Sequence, residues 1–193
     1  MKRLKITVVV IATILTSLVL KAQTPTPNLI INKELIINAS IEKTWQILGP
    51  EFANAYKWAS AINYSEGHGE GQNGAICSER GCDVSGIGEI QEKILRYSET
   101  EHVLKYKVTE GMPKMVKYST NNWKLVKIDD NKTKLELELE MKTGGFIGWL
   151  MKPMMKMKMK KLAKNTIEEF KYYIEKGQPH PRKVKATTKN TTI

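Results

Sequence analysis

Two periodicities divide the chain. Over Leu104, Tyr106 and Val108, and again over Leu135, Leu137, Leu139 and Met141, apolar residues alternate with lysine or glutamate. That is the period-two signature of strands with one dry and one wet face. From Met155 the step changes to three and four: Met155, Met159, Leu162, Thr166, Phe170 and Tyr173/Ile174 share one stripe of a helix running from Gly145 to Gly177, broken once at Pro153. Gly177 stands where a C′ residue ends a helix, and Pro179 and Pro181 follow it. One-sided strands need a cover, and this helix is the one element long enough to supply it.

The rest of the pattern fills in around these two features. Leu29 to Ile37 suits a first strand, and Asn38-Ala39-Ser40 hands over to a short helix with Ser40 as N-cap, Glu42 in its first turn, and Ile41, Trp45 and Leu48 on one face. Gly49-Pro50 ends it, and a second short helix or turn over Phe52–Ala55 leads to Trp58. Strands are expected at Ala61–Ser65, Gly74–Glu79 and Ile87–Leu95, the last two joined by a turn over Gly81–Gly86. A further strand over Tyr118–Ile128 closes through Asp129-Asp130-Asn131-Lys132, a hairpin turn by composition. Its inward face is either Ser119/Asn121/Trp123/Leu125 or Tyr118/Thr120/Val126/Ile128. The order is strand, two short helices, antiparallel strands and a long closing helix, an α+β chain.

At 193 residues the chain has room for one core, assigned to residues 29–177. Residues 1–22 have a basic start, an apolar run from Ile6 to Leu20, and then Lys21-Ala22, which outlines a signal peptide ahead of a linker at 23–28. An exported protein, periplasmic or secreted, follows from this, with an uncleaved N-terminal anchor as the alternative. Four of the eleven net positive charges lie in that leader, and residues 178–193, rich in Pro, Thr, Lys and Asn, read as a disordered basic tail. What remains is concentrated: Lys142 to Lys164 holds seven lysines and no carboxylate. Lys152, Lys156, Lys158, Lys160, Lys161 and Lys164 therefore form a solvated helix face or, with Phe146, Ile147, Trp149 and Leu150 ahead of them, a surface for an anionic membrane. Nucleic acid is not expected, because this face supplies charge without interleaved aromatics.

Export makes a disulfide between Cys77 and Cys82, the two cysteines of the chain, the favoured reading. No zinc-ligand spacing is present, and His68, His102 and His180 lie far apart without a triad, so no metal and no cofactor are expected. The thioethers of Met154, Met155, Met157 and Met159 would suit copper(I), but on a helix they point to different sides. Gly69-Glu70-Gly71-Gln72-Asn73-Gly74 spells G-x-G-x-x-G with a strand where a dinucleotide site needs a helix.

Several short stretches, in this order, carry a resemblance: Ala39-Ser40-Ile41-Glu42-Lys43-Thr44-Trp45-Gln46-Ile47-Leu48, then Trp58, Gly74-Ala75-Ile76, Gly88 to Ile94, Tyr106-Lys107-Val108, and Leu150 to Met155. Together they resemble the START-like (SRPBCC) superfamily of polyketide cyclase/dehydrase and lipid-transport proteins, over roughly Ile31 to Lys176. The resemblance implies a helix-grip fold, a curved seven-stranded antiparallel sheet wrapped around the C-terminal helix, with a hydrophobic cavity between them. Where many relatives continue G-x-G-A with an arginine that enters the cavity, this chain has Cys77, and Arg80 comes three residues later. The family holds binders, carriers, cyclases and hydrolases, so the fold alone does not fix activity.

With that cavity implied, alternation assigns its lining. Ile90 and Glu92 share a face of one strand, Leu104 and Tyr106 of the next; Asn121 and Trp123 belong to the first of the two alternatives for the sixth strand, and Leu137 and Leu139 to the seventh. Trp58 adds a flat surface, and Met155, Met159 and Leu162 come from the helix. Glu92 is the one acid on an otherwise apolar face, a weak candidate for orienting or protonating a ligand, with Tyr106 or with His68 of the glycine-rich loop as a second acid–base group. The expected partner is a hydrophobic or amphipathic small molecule, lipids included. A cyclase- or hydrolase-type enzyme built on Glu92, and an envelope protein with a membrane-facing helix and no ligand, are the alternatives.

Overall fold

The computed structural model of the protein describes residues 28–191, so the expected leader and most of the linker lie outside the described residues. Strand β1 (Leu29–Ile37) is followed by helix α1 (Ile41–Leu48) and a 3-10 segment (Phe52–Lys57). Six strands come next: β2 (Ile62–His68), β3 (Glu79–Val84), β4 (Gly88–Ser98), β5 (Val103–Glu110), β6 (Val116–Asp129) and β7 (Lys132–Thr143). Helix α2 (Gly145–Lys176) and a short α3 (Pro181–Thr191) complete the chain. The strands form one seven-stranded sheet in the order β1-β7-β6-β5-β4-β3-β2, every neighbouring pair antiparallel. This is the helix-grip arrangement that the resemblance implies.

Local signals act where they were read. Ser40 caps α1, its Oγ accepting from Lys43 N at 3.2 Å, and Ile41, Trp45 and Leu48 are buried together. Asn131 N donates to Asp129 Oδ1 at 2.8 Å in the β6–β7 turn. Gly177 ends α2 at φ 68°, a left-handed conformation that a side chain would strain, and its N–H reaches Tyr173 O. The far end of α2 is tied back to the start of the domain: Asn38 N donates to Glu175 Oε1 at 2.7 Å and Lys171 Nζ to Ile36 O at 2.8 Å.

The core lies between α2 and one face of the sheet. Register puts Leu104, Trp123 and Leu137 side by side across β5, β6 and β7, all buried. On β6, Trp123 and Leu125 point inward while Tyr118 and Ile128 are exposed, which follows the first alternative, but Thr120 of the second is buried as well and lines the same cleft. Phe170 is 0% exposed, with its ring centroid 5.0 Å from Trp58 and 5.8 Å from Trp123.

Four expectations need correction. The buried stripe of α2 is Met155, Met159, Ala163, Ile167, Phe170 and Ile174, a step of four held for three turns; Leu162, 42% exposed, and Thr166 flank it. The helix also continues through Pro153, whose missing N–H falls on the exposed side where water can serve the orphaned carbonyl. Residues 74–78 form no strand: Asn73 and Gly74 have φ of 57° and 92°, and the strand starts at Glu79 and runs through the segment read as a turn. Finally, residues 181–191 are helical rather than disordered. Arg182 Nε donates to the buried Glu169 Oε1 at 2.8 Å and Lys183 Nζ to Ile62 O at 2.7 Å, so α3 docks through specific polar bonds that hydropathy does not register.

Candidate ligand cavity

Between the sheet, α1, the 3-10 segment and α2 lies a cleft of about 170 Å³, open at its mouth. That is below the roughly 300–1,000 Å³ of sites that hold a drug-sized molecule, so it suits a small guest. Most of the wall is apolar. Ile90, Leu104, Leu137 and Leu139 line it from the sheet, Trp58 from the segment before β2, and Met159 and Leu162 from α2. Asn121 and Trp123 line it from β6, and Met112 of the β5–β6 loop and Ile87 of the β3–β4 turn from the rim. Met155, expected in the cavity, is buried but takes no part in this wall; it lies one turn before Met159, in the packed core.

One part of the lining is charged. Arg80 on β3 stands directly opposite Glu92 on β4, and both are buried. Glu92 Oε2 accepts from Arg80 Nε at 2.8 Å and Nη2 at 2.5 Å, and from Cys82 Sγ at 3.4 Å. Arg80 Nη1 donates to Phe52 O at 2.6 Å, and the guanidinium lies 4.0 Å from the Phe52 ring centroid and 5.2 Å from that of Tyr106. Burial alone would lower the pKa of Arg80, but Glu92, with Tyr106 and Cys82, raises it above the ordinary arginine value, so the guanidinium is charged. Tyr106 pairs with Asn121 across β5 and β6, and its OH accepts from Trp123 Nε1 at 3.3 Å. Burial, reinforced by the Glu92 carboxylate, pushes the Tyr106 hydroxyl up to about 12.

Arg80 therefore enters the cavity although Cys77 occupies the position expected for an arginine. The signal was available: β3 carries Arg80, Cys82 and Val84 on one face, and in antiparallel register Arg80 meets the lone inward acid Glu92. Glu92 is the counter-ion of this arginine, a role different from that of an isolated carboxyl in an apolar wall. Cys77 and Cys82 are both free thiols, and the expected disulfide is not formed. Cys82 turns toward Glu92, while Cys77 packs against Gly67 of β2, and burial pushes the Cys82 thiol up to about 12.

His68 stands at the end of β2, 3.4 Å from Glu66 Oε1, and does not line the cavity. Among the described residues no three His, Cys, Asp or Glu side chains gather as a metal site, and no helix is long and apolar enough to cross a membrane. On α2, Lys156, Lys158, Lys160, Lys161 and Lys164 are exposed and Lys152 is half-exposed. Ahead of and among them Phe146 (74% exposed), Ile147, Trp149, Leu150 and Met157 (66%) are exposed as well.

A model of the family described as polyketide cyclase/dehydrase and lipid transport matches residues 30–175. Among solved structures, the Zhui aromatase/cyclase from Streptomyces sp. R1128 superposes with a TM-score of 0.64 at 13% identity, covering 80% of this chain and 100% of that one. A truncated norcoclaurine synthase from Thalictrum flavum gives 0.62 at 16%, covering 80% and 98%. A START superfamily protein from Mycobacterium smegmatis gives 0.57 at 19%, covering 76% and 94%. At these identities the likeness is one of fold. No curated protein matches the sequence.

Proposed function

Because the chain belongs to the polyketide cyclase/dehydrase and lipid transport family, we propose that it binds a hydrophobic or amphipathic small molecule between the sheet and α2. The observation that carries this reading is the cleft itself, an apolar wall with one charged patch around Arg80 and Glu92. Apolar surface supplies the binding energy there, and the few polar groups fix orientation. The test is native mass spectrometry of the protein purified from its own host, followed by organic extraction. A lipophilic molecule released at near one-to-one supports the reading; a protein that arrives empty and takes up no hydrophobic dye refutes it. The cyclase- or hydrolase-type alternative asks Glu92, already committed to Arg80, to exchange protons as well. Chemical change of the extracted molecule on incubation with the protein, lost in Glu92→Gln, would establish that alternative.

The outer face of α2 supports a second reading, contact with an anionic membrane surface. Phe146, Leu150, Met154 and Met157 recur at steps of three and four on the side opposite Met155 and Met159, so the first three turns present apolar side chains outward as well as inward. The lysines that surround them match an anionic lipid surface in charge, and Phe and Trp suit the headgroup boundary. This face begins beside the cavity rim: Gly144 N donates to Met115 O in the same loop that gives Met112 to the wall. Vesicles containing phosphatidylglycerol should sediment the protein in a salt-sensitive way and shift Trp149 emission to the blue. Binding that is absent, or a stable dimer that covers Trp149, refutes it. Export belongs to the same proposal and rests on the leader-like residues 1–22. A mature chain starting at Gln23 in the extracytoplasmic fraction supports it, and a cytoplasmic full-length chain opposes it.

A further inference from the structure

Glu92 is used lopsidedly. All three donors that reach it, Arg80 Nε, Arg80 Nη2 and Cys82 Sγ, converge on Oε2, and no donor among the described residues reaches Oε1. The residue is only 5% exposed and lines the cavity, and Oε1 is not among the fully buried atoms that lack a partner, so it is reached from the cleft. Tyr106 is complementary. Its oxygen accepts from Trp123 Nε1, while its own proton has no acceptor among the described residues. The arginine, in contrast, has its charge paired: three of its five N–H groups are bonded within the protein, two of them to Glu92, and Phe52 stacks on its face.

We propose that the cavity selects an uncharged ligand carrying an O–H or N–H donor, such as a phenol or aliphatic alcohol on an apolar skeleton, and rejects the corresponding carboxylate. The proposal rests on the reading that this cleft holds a small molecule, and it deepens that reading by naming the ligand class. The donor goes to Glu92 Oε1, and an acceptor on the ligand takes the Tyr106 proton. A buried carboxylate oxygen left without a partner is costly, so a ligand that covers it without donating is disfavoured. A ligand carboxylate is worse placed still, since it would face Glu92 and find the Arg80 charge already cancelled.

Equilibrium dialysis at neutral pH with three probes of one skeleton tests this: 2-naphthol, 2-methylnaphthalene and 2-naphthoate. The expected result is 2-naphthol tighter than either of the others by about tenfold or more, the scale of a hydrogen bond to a buried charged group. In Glu92→Gln, which leaves Arg80 unneutralised, that advantage shrinks and 2-naphthoate gains. Equal binding of 2-naphthol and 2-methylnaphthalene, or 2-naphthoate as the best probe of the wild-type protein, overturns the proposal while leaving the cavity reading standing. Failure of all three probes to bind overturns both. The comparison among probes on the wild-type protein decides the matter even where Glu92→Gln does not fold.

Discussion

Replacing Arg80 by Met removes the cation and keeps most of the length of the side chain. It also strands Glu92, which is buried and loses two of its three donors, and leaves Phe52 O without the 2.6 Å bond from Nη1. Breaking a buried pair from one side typically costs about 3–5 kcal/mol, because a charge is left without compensation. Replacing both partners by apolar residues is often close to neutral, so Arg80→Met with Glu92→Leu should cost at most about 2 kcal/mol, chiefly for the orphaned Phe52 carbonyl. The double variant should thus be more stable than the single one, with a coupling of at least about 2 kcal/mol. Urea unfolding followed by far-UV circular dichroism reads this directly. With a slope near 2 kcal/mol per molar, Arg80→Met lowers the midpoint by about 1.5–2.5 M, and the second substitution brings that loss to about 1 M or less. A loss below about 1 kcal/mol for Arg80→Met, or additive effects in the cycle, would refute a desolvated ion pair on the cavity wall.

Other outcomes follow from the same structure. Phe170→Ala should cost about 3–5 kcal/mol in urea unfolding, since Phe170 fills the space between Trp58 and Trp123; a loss below about 1 kcal/mol would mean that α2 presents a different face. Arg182→Ala should cost about 1.5–3 kcal/mol and truncation after His180 at least as much, because Glu169 is buried and keeps only the bonds from Ser60. An unchanged melting temperature in both would restore the disordered tail. Neither Cys77 nor Cys82 should react with a thiol reagent until the protein unfolds, and reductant should leave the melting temperature unchanged. Cys82 also sets a pH dependence. Its pKa rises from an ordinary 9.0 to about 12, chiefly through burial, so its neutral form is favoured in the fold. The corresponding stability is whole below pH 9 and falls as pH rises toward 12. Cys82→Ala should flatten the decline of the urea midpoint across this window.

What could be read from the sequence was whatever a single periodicity encodes. β5 and β7 have one apolar and one charged face, so their inward residues Leu104, Tyr106, Leu137 and Leu139 followed from alternation. β3 broke that rule because its inward face carries Arg80, a residue that belongs inside only when the neighbouring strand offers Glu92. That is a pairing between strands, invisible to a window sliding along one of them. α3 was missed for a related reason: its docking depends on Arg182 and Lys183 finding Glu169 and Ile62 O, and polar helices that dock through a few bonds look like tails. In α2 the caps, the length and most of the inward face were legible: Met155, Met159, Phe170 and Ile174 are buried and Leu162 and Thr166 turn to the cavity, while Ala163 and Ile167 complete the packed stripe, a choice that only packing makes.

The bonds that close α2 onto the start of the domain also fix when folding can finish. Asn38 N and Glu175 Oε1 are separated by 137 residues, and Lys171 Nζ and Ile36 O by 135. Contacts of such separation give a high contact order, for which loop-closure entropy is met before any long-range contact returns free energy. A nascent chain ending between Thr143 and Met155 has all seven strands of its sheet and lacks the part of α2 that covers their apolar face. The domain therefore closes only after nearly all of it has been synthesised, and until then that sheet face is a surface for chaperones to hold.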